Sequence, residues 1–396
     1  MSGITDQIGQ ILGYGEKAQK TASVLINGRL LTGWTDVTVR CAVDLMPWVA
    51  DLGMTEYQPA KSASESSQSW LGDLNNPAGV PLVNEGDVAE VRIGTDLLIT
   101  GYVVTVVEAV SPERHEFRLQ IASKSMDLVD CSAEFSTYQM NSTNALALAK
   151  RVAKFAEINV VQINGAGNVD LQQFSVILTE TAYEIIERVA RLAGVLFYDL
   201  PDGNVAFAAV GSQRMASGLI YGENVEQMTT VRSTAGRFSS ITAVLQTTAL
   251  LFSEPGDQDY VGQMDAVSTG AVAEDPGIAR DRPLLIPAEL GDDKVYTVTT
   301  KRVQWEVARR YGRANTVTLT CDSWRDTAGN LWAVNRKAPV RLKDGRELDL
   351  VITEIVFRQG EDGTRADLVL MPPEGLMPEP LLLPALSNEG IQAINS

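Results

Sequence analysis

The chain has 396 residues, 45% hydrophobic and 21% charged, an ordinary globular composition with room for roughly two to four domains. Its formal net charge is −17, so the clustered positive charge that neutralises nucleic-acid phosphates is missing overall and no specific nucleic-acid binding is expected. The longest apolar runs, residues 96–108 and 195–207, are strand-sized and broken by Gly, Asp or Pro, far short of the ~20 residues that span a bilayer, which argues against stable membrane insertion.

In chain order, Ile4, Ile8, Ile11 and Leu12 fall at helical spacing within residues 1–21 and predict a short amphipathic helix ended by Gly13 or Gly15. Met1 to Lys20 has neither the basic segment nor the long apolar segment of a signal peptide, so synthesis and assembly in cytoplasm are expected. A hairpin follows, Ser23 to Ile26, a turn at Asn27-Gly28, then Leu30-Leu31, with Val37 to Cys41 alternating behind it. The stretch from Thr55 to Val80 is rich in Ser, Asn and Gly and predicts an exposed loop. Strands resume at Val88 to Ile93, Leu97 to Val107 and Glu116 to Ala122, where Phe117, Leu119 and Ile121 alternate with polar residues.

The pattern then changes. Asn141 to Asn144 predicts the cap of a helix reaching about Ile158, and Thr181-x-x-Glu184 is a capping box for a second helix that stops at Gly194. Val195 to Tyr198 and Val205 to Val210 read as strands around a Pro-Asp-Gly-Asn turn, so residues 140–225 read as a small α+β domain. Residues 253–293 form an acidic, Gly- and Pro-containing insert. Beyond it, strands are expected from Val295 to Met371 with one short helix near Trp305 to Tyr311. Residues 374–396 form a proline-rich tail.

The second strand-rich region echoes the first. Val37-Thr-Val-Arg-Cys41 parallels Val317-Thr-Leu-Thr-Cys321; Val91 to Ile93 and Leu97 to Val103 parallel Val340 to Leu342 and Leu348 to Ile355; Phe117-Arg-Leu-Gln-Ile121 parallels Ala366-Asp-Leu-Val-Leu370. The expected fold is mixed and mainly β: two similar antiparallel β-barrel (tube-like) domains, 22–139 and 226–373, flanking the α+β domain. An internal pair of that kind allows three chains to close as a ring with six similar positions.

Chemistry-bearing motifs are missing. His115 is the single histidine and sits at a predicted hairpin turn; no nucleophile elbow, P-loop or dinucleotide fingerprint occurs. Asp257-x-Asp259 and Asp292-Asp293 lack the glycine-bearing spacing of a calcium loop. Cys41, Cys131 and Cys321 are far apart and without CxxC spacing, and are expected to be buried packing residues. Catalytic, cofactor-binding and metal sites are therefore predicted as none, and the chain is expected not to be an enzyme. With fifty acidic residues, a carboxylate pair of the glycosidase kind is the alternative that motif absence leaves open, so a peptidoglycan hydrolase or glycan-binding protein is the second reading. Of the six tryptophans, Trp34, Trp48, Trp305, Trp324 and Trp332 adjoin predicted elements and read as core, while Trp70 falls in the loop.

Val83-Asn-Glu-Gly-Asp-Val88, Val91-Arg-Ile-Gly, Leu98-Ile-Thr-Gly-Tyr-Val103 and Ser123-Lys-Ser-Met-Asp-Leu-Val-Asp-Cys131, with the segment Ile185 to Phe207, resemble the baseplate hub proteins of Mu-like contractile-tailed phages. The resemblance runs from about Ala22 to Pro373. It implies a homotrimeric, pseudo-sixfold ring in the virion tail baseplate that joins the hexameric tail tube to a trimeric central spike, contacts neighbouring baseplate proteins and lets DNA pass. The hub part of type VI secretion spike proteins is similar, but those normally continue into a spike, whereas this sequence ends in its proline-rich tail.

Overall fold

The computed structural model describes residues 21–56, 83–111, 115–133, 139–245, 269–288, 295–361 and 363–379. The expected N-terminal helix, the Ser-rich loop from residue 57 with its Trp70, and the tail beyond residue 379 lie outside the described residues.

The first β region comprises β1 (Ala22–Ile26), β2 (Arg29–Leu31), β3 (Asp36–Ala42), β4 (Val49–Glu56), β5 (Val88–Ile93), β6 (Asp96–Val110) and β7 (His115–Ser123). The β1–β2 turn is the one its sequence demands: Asn27 and Gly28 hold φ of 49° and 77°, left-handed values that Asn and Gly tolerate. Alternation decides which face is buried. Phe117, Leu119 and Ile121 on β7, and Val37, Val39 and Cys41 on β3, all lie inside.

The middle unit follows through a short helix, Met126–Asp130, into β8 (Gln139–Asn144), β9 (Val160–Gln162), β10 (Asp170–Ser175), β11 (Leu196–Asp199) and β12 (Val205–Ala208). Its helices are Ala145–Ala153, capped by the Asn144 side chain, and Ala182–Ala193. The second has the complete Thr181–Glu184 capping box and ends at Gly194 with φ of 66°. Asn141 to Asn144, expected as a helix start, is strand instead and pairs with β10. Leu148, Val152, Ile185, Ile186 and Val189 close a separate core against Phe197 and Phe207.

The last region holds β13 (Gln213–Arg214), β14 (Leu219–Ile220), β15 (Val225–Arg232), β16 (Ser240–Leu245), β17 (Thr269–Glu274), β18 (Pro283–Ala288), β19 (Asn315–Cys321), β20 (Arg336–Arg341), β21 (Glu347–Gly360) and β22 (Gly363–Met371). Two expectations change here. The segment from Val295 is a 20-residue helix, Val295–Ala314, and its buried Val303 packs in a small core with Ile241 and Ala271. Its opening run of Val and Thr favours strand locally, and packing of that face overrides the preference. The acidic insert contains structure as well, since β17 and β18 flank β16 in a three-stranded sheet.

Fourteen strands form one sheet whose main path runs β15-β19-β22-β21-β3-β4-β7-β6-β5-β1-β2, with β13, β14 and β20 branching off it. The fold is mainly β, but among the described residues this path is open and no closed barrel is present. The two β regions meet directly because β21 is long. Along one edge its first residues pair with β20 and Glu354 to Gln359 pair antiparallel with β3, while β22 takes the other edge. Arg40 bonds Glu354 across this junction at 2.6 Å, and Arg325 ties the second region to the β5–β6 turn through Asp96 and the Ile93 carbonyl. One continuous core runs beneath both regions.

The two regions match strand for strand. β3-β4-β7-β6-β5 repeats as β15-β19-β22-β21-β20 in ladder order, pairing sense and chain order. The long strands, 15 residues in β6 and 14 in β21, each carry a register shift, at Val103/Thr105 and Ile352/Glu354. Aligned on these shifts, Phe117, Leu119 and Ile121 fall on Ala366, Leu368 and Leu370, as the sequence pairs them. The strand carrying Val317 to Cys321 instead takes the place of β4, and the counterpart of β3 is β15.

Candidate functional site

The residue types that carry catalysis stay apart. His115 opens β7 at the far end of its hairpin, opposite Val110. Among the described residues no three His, Cys, Asp or Glu side chains gather as a metal site. Asp257, Asp259, Asp292 and Asp293 lie outside the described residues. Trp34, Trp48, Trp324 and Trp332 are buried, and Trp305 donates to the Met377 carbonyl at 2.8 Å beside Arg302 and Arg309. Cys41 and Cys321 are buried, with the Cys321 thiol pushed up to about 12 chiefly by burial. Cys131 departs from expectation: it is exposed, because it leaves the end of the short helix Met126–Asp130 rather than lying on a core face.

The most buried carboxylate, Asp199, is a structural tie. It ends β11 and accepts from the Trp48 backbone N–H at 2.8 Å and the Ser123 hydroxyl at 2.6 Å, pinning the middle unit to β4 and β7. Burial raises its pKa, outweighing the bonds from Ser123, Ser125 and Trp48 that favour the charged form. A raised folded-state value means that this group adds stability below the ordinary Asp range, and that the contribution disappears as pH rises through the folded value. Thermal melts from pH 4 to 8 should therefore show wild-type stability declining relative to Asp199→Asn, which keeps an acceptor and cannot ionise. Asp199→Ala should lose about 1–3 kcal/mol at every pH by stranding its donors. Parallel pH profiles for wild type and the Asn variant would refute the assignment.

What the fold leaves open is strand edge. β6 pairs with β7 along Gly101 to Val110, but β5 covers its other edge only as far as Tyr102. Thr105 to Val110 thus has one ladder partner among the described residues, and Val107 and Val110 are 46% and 72% exposed. β15 likewise pairs only with β19 over Gln227 to Arg232. Its Val231 is 45% exposed, and a groove of about 640 Å³ runs along it between Glu226, Met228, Arg232, Tyr221, Asp344 and Arg346. An unpaired edge is a template for another strand, and these two are the principal adhesive features of the described surface. Sequence reading does not single them out. The available signal is that Val103-Val-Thr-Val-Val107 is apolar on both faces, more than one covered face requires.

Comparison with known proteins identifies what such a sheet belongs to. Residues 21–120 match the N-terminal domain model of the Mu phage baseplate assembly protein GpP-like family. Residues 125–209 match the second domain of the baseplate hub protein gp44-like family, and residues 296–379 the fourth domain of the GpP model. First, second and fourth domains follow in order along one chain and together take in about two thirds of it. The chain belongs to the baseplate hub family of Mu-like phages. The baseplate hub protein gp44 of Escherichia phage Mu is 23% identical over 368 residues, covering 90% of this chain and 89% of gp44. In structure, the hub resembles the 43 kDa tail protein of prophage MuSo2 from Shewanella oneidensis, with TM-score 0.73, 24% identity and coverage of 92% of this chain and 100% of that one. A tail protein from Neisseria meningitidis has TM-score 0.68 at 19% identity, over 89% and 96% of the two chains. More distant, at TM-score 0.52 and 9% identity over 91% and 80%, is an Escherichia coli component of the type VI secretion system described as similar to T4 tail proteins gp27 and gp5. The hub is a structural component of the phage tail baseplate, hence of the virion, and not an enzyme. No helix among its described residues is long and apolar enough to cross a membrane.

Proposed function

We propose that three copies of this hub close into a ring of six alternating β regions, joining a sixfold tail tube on one side to a threefold spike on the other. The observation that carries this reading is the strand-for-strand match of β3-β4-β7-β6-β5 with β15-β19-β22-β21-β20. One chain holding two similar regions presents a pseudo-sixfold face while keeping true threefold symmetry, which is what an adaptor between a hexameric and a trimeric partner requires. Residues 22–139 and 226–373 act as the two tube-like units, the acidic insert 253–293 belongs to the second, and residues 140–225 brace them from outside.

Each region then occupies about a sixth of the circle and leaves an axial channel through which DNA passes once the spike departs. A charge of −17 suits such a passage, because an acidic wall repels phosphate and keeps DNA from adhering. The partners are the tube or a tube-terminating protein, the spike and neighbouring baseplate proteins, and assembly takes place in the host cytoplasm. Light scattering on the purified protein should give three times the 42.8 kDa chain, and negative-stain images a six-lobed ring with a central hole. A monomer at all concentrations, or a twofold dimer, would overturn the proposal.

A further inference from the structure

We infer that the ring closes by strand pairing, β15 of one copy adding antiparallel to the open half of β6 in the next, in a register fixed by the chain's own β3–β21 junction. This deepens the trimeric reading and rests on it. Within one chain, β3, the first strand of the first region, pairs with the outer half of β21, the long strand of the second. The counterpart of β3 is β15, and the counterpart of β21 is β6. Both counterparts keep the corresponding edge without a ladder partner among the described residues. The same contact repeated between copies uses the two open edges and leaves none.

The template gives the register. Aligning the two regions on their register shifts places Glu354 to Gln359 over Thr105 to Val110, and Val37 to Ala42 over Met228 to Ser233. Phe357 opposite Val39 thereby becomes Glu108 opposite Thr230. Val107 then faces Val231 and Val110 faces Met228, so the valines exposed on each edge meet apolar partners. On the second face Glu108 lies diagonal to Arg232, an opposite-charge pair within cross-strand reach. The groove beside Met228 and Arg232 provides space for the side chains of the incoming strand. The contact joins different patches, so it propagates head to tail and closes as a ring.

Opposed antiparallel residues stand about 4.5–5.5 Å apart at Cα, within disulfide range. In a Cys131→Ser background, Val107→Cys combined with Val231→Cys should cross-link under mild oxidation, giving bands of two and three chain masses that collapse with reductant. Either cysteine alone should stay at one chain mass, since a head-to-tail contact brings no residue against its own copy. Val107→Cys with Thr230→Cys should also stay single, because those side chains point to opposite faces. A trimer by light scattering that gives no cross-link would overturn the strand pairing and leave the ring standing. Cross-linking by a single cysteine would replace it with a twofold contact. A monomer by light scattering would overturn both readings.

Discussion

Phe357→Ala should lower the unfolding free energy of the hub by about 3–5 kcal/mol, the range for emptying a well-packed aromatic site. Phe357 is fully buried in β21, with Ala366 opposite on β22 and Val39 opposite on β3, so its ring fills the seam where the two β regions join. Trp324 packs edge-on against it, ring centroids 6.4 Å apart and planes at 90°, and donates its indole N–H to the Arg358 and Arg365 carbonyls. That anchoring prevents Trp324 from collapsing into the vacated space, which places the cost toward the upper end. In urea titrations the midpoint should fall at unchanged slope. Leu285→Ala, at a position 66% exposed, should move stability by less than about 0.5 kcal/mol. A loss below about 1 kcal/mol for Phe357→Ala would mean that the seam carries little of the stability.

The second large effect lies away from the main sheet. Arg237 donates two bonds of 2.8 Å to the Asp275 carboxylate, both side chains are almost wholly enclosed, and the guanidinium stands 5.1 Å from the Tyr311 ring. Removing one member of such a pair strands the other's charge, so Arg237→Ala should cost about 3–5 kcal/mol. Replacing both members with apolar residues of similar volume should cost much less. Arg237's bonds hold the Asp275 carboxyl below its usual range, although burial pushes the other way. A lowered folded-state pKa gives stability that is complete above the ordinary Asp range, about 3.9, and lost as pH falls through the folded value. Denaturation at pH 7 and at pH 3 checks this: the gap between wild type and Arg237→Ala should narrow in acid. A gap that is constant with pH would refute the ionic account. Asp275 and Asp199 thus act with opposite sign, one paired with a cation and the other buried among neutral donors.

Local pattern determines the individual elements. Alternation on β7, left-handed backbone at Asn27-Gly28 and the Thr181–Glu184 box each require only neighbours within a few residues, and each reads directly from the sequence. The family resemblance is legible for the same reason, because its motifs are strands and turns of the first region. The absence of catalytic spacing is legible too, since motifs such as a P-loop or nucleophile elbow are local constellations.

Tertiary structure alone decided which strands meet. Alternating Val, Thr and Leu suits many partners, so Val317 to Cys321 reads as the twin of Val37 to Cys41, although its ladder places it where β4 stands. The true counterpart of β3, Val225 to Arg232, is largely exposed and has little apolar alternation to read. The helix Val295–Ala314 was hidden for a related reason: its first residues prefer strand, and only burial of Val303 against Ile241 and Ala271 reverses that preference. The candidate assembly surface is the extreme case. An open edge is defined by the pairing it lacks, and pairing between residues more than two hundred positions apart, as in β3 with β21, is set by how the whole sheet packs.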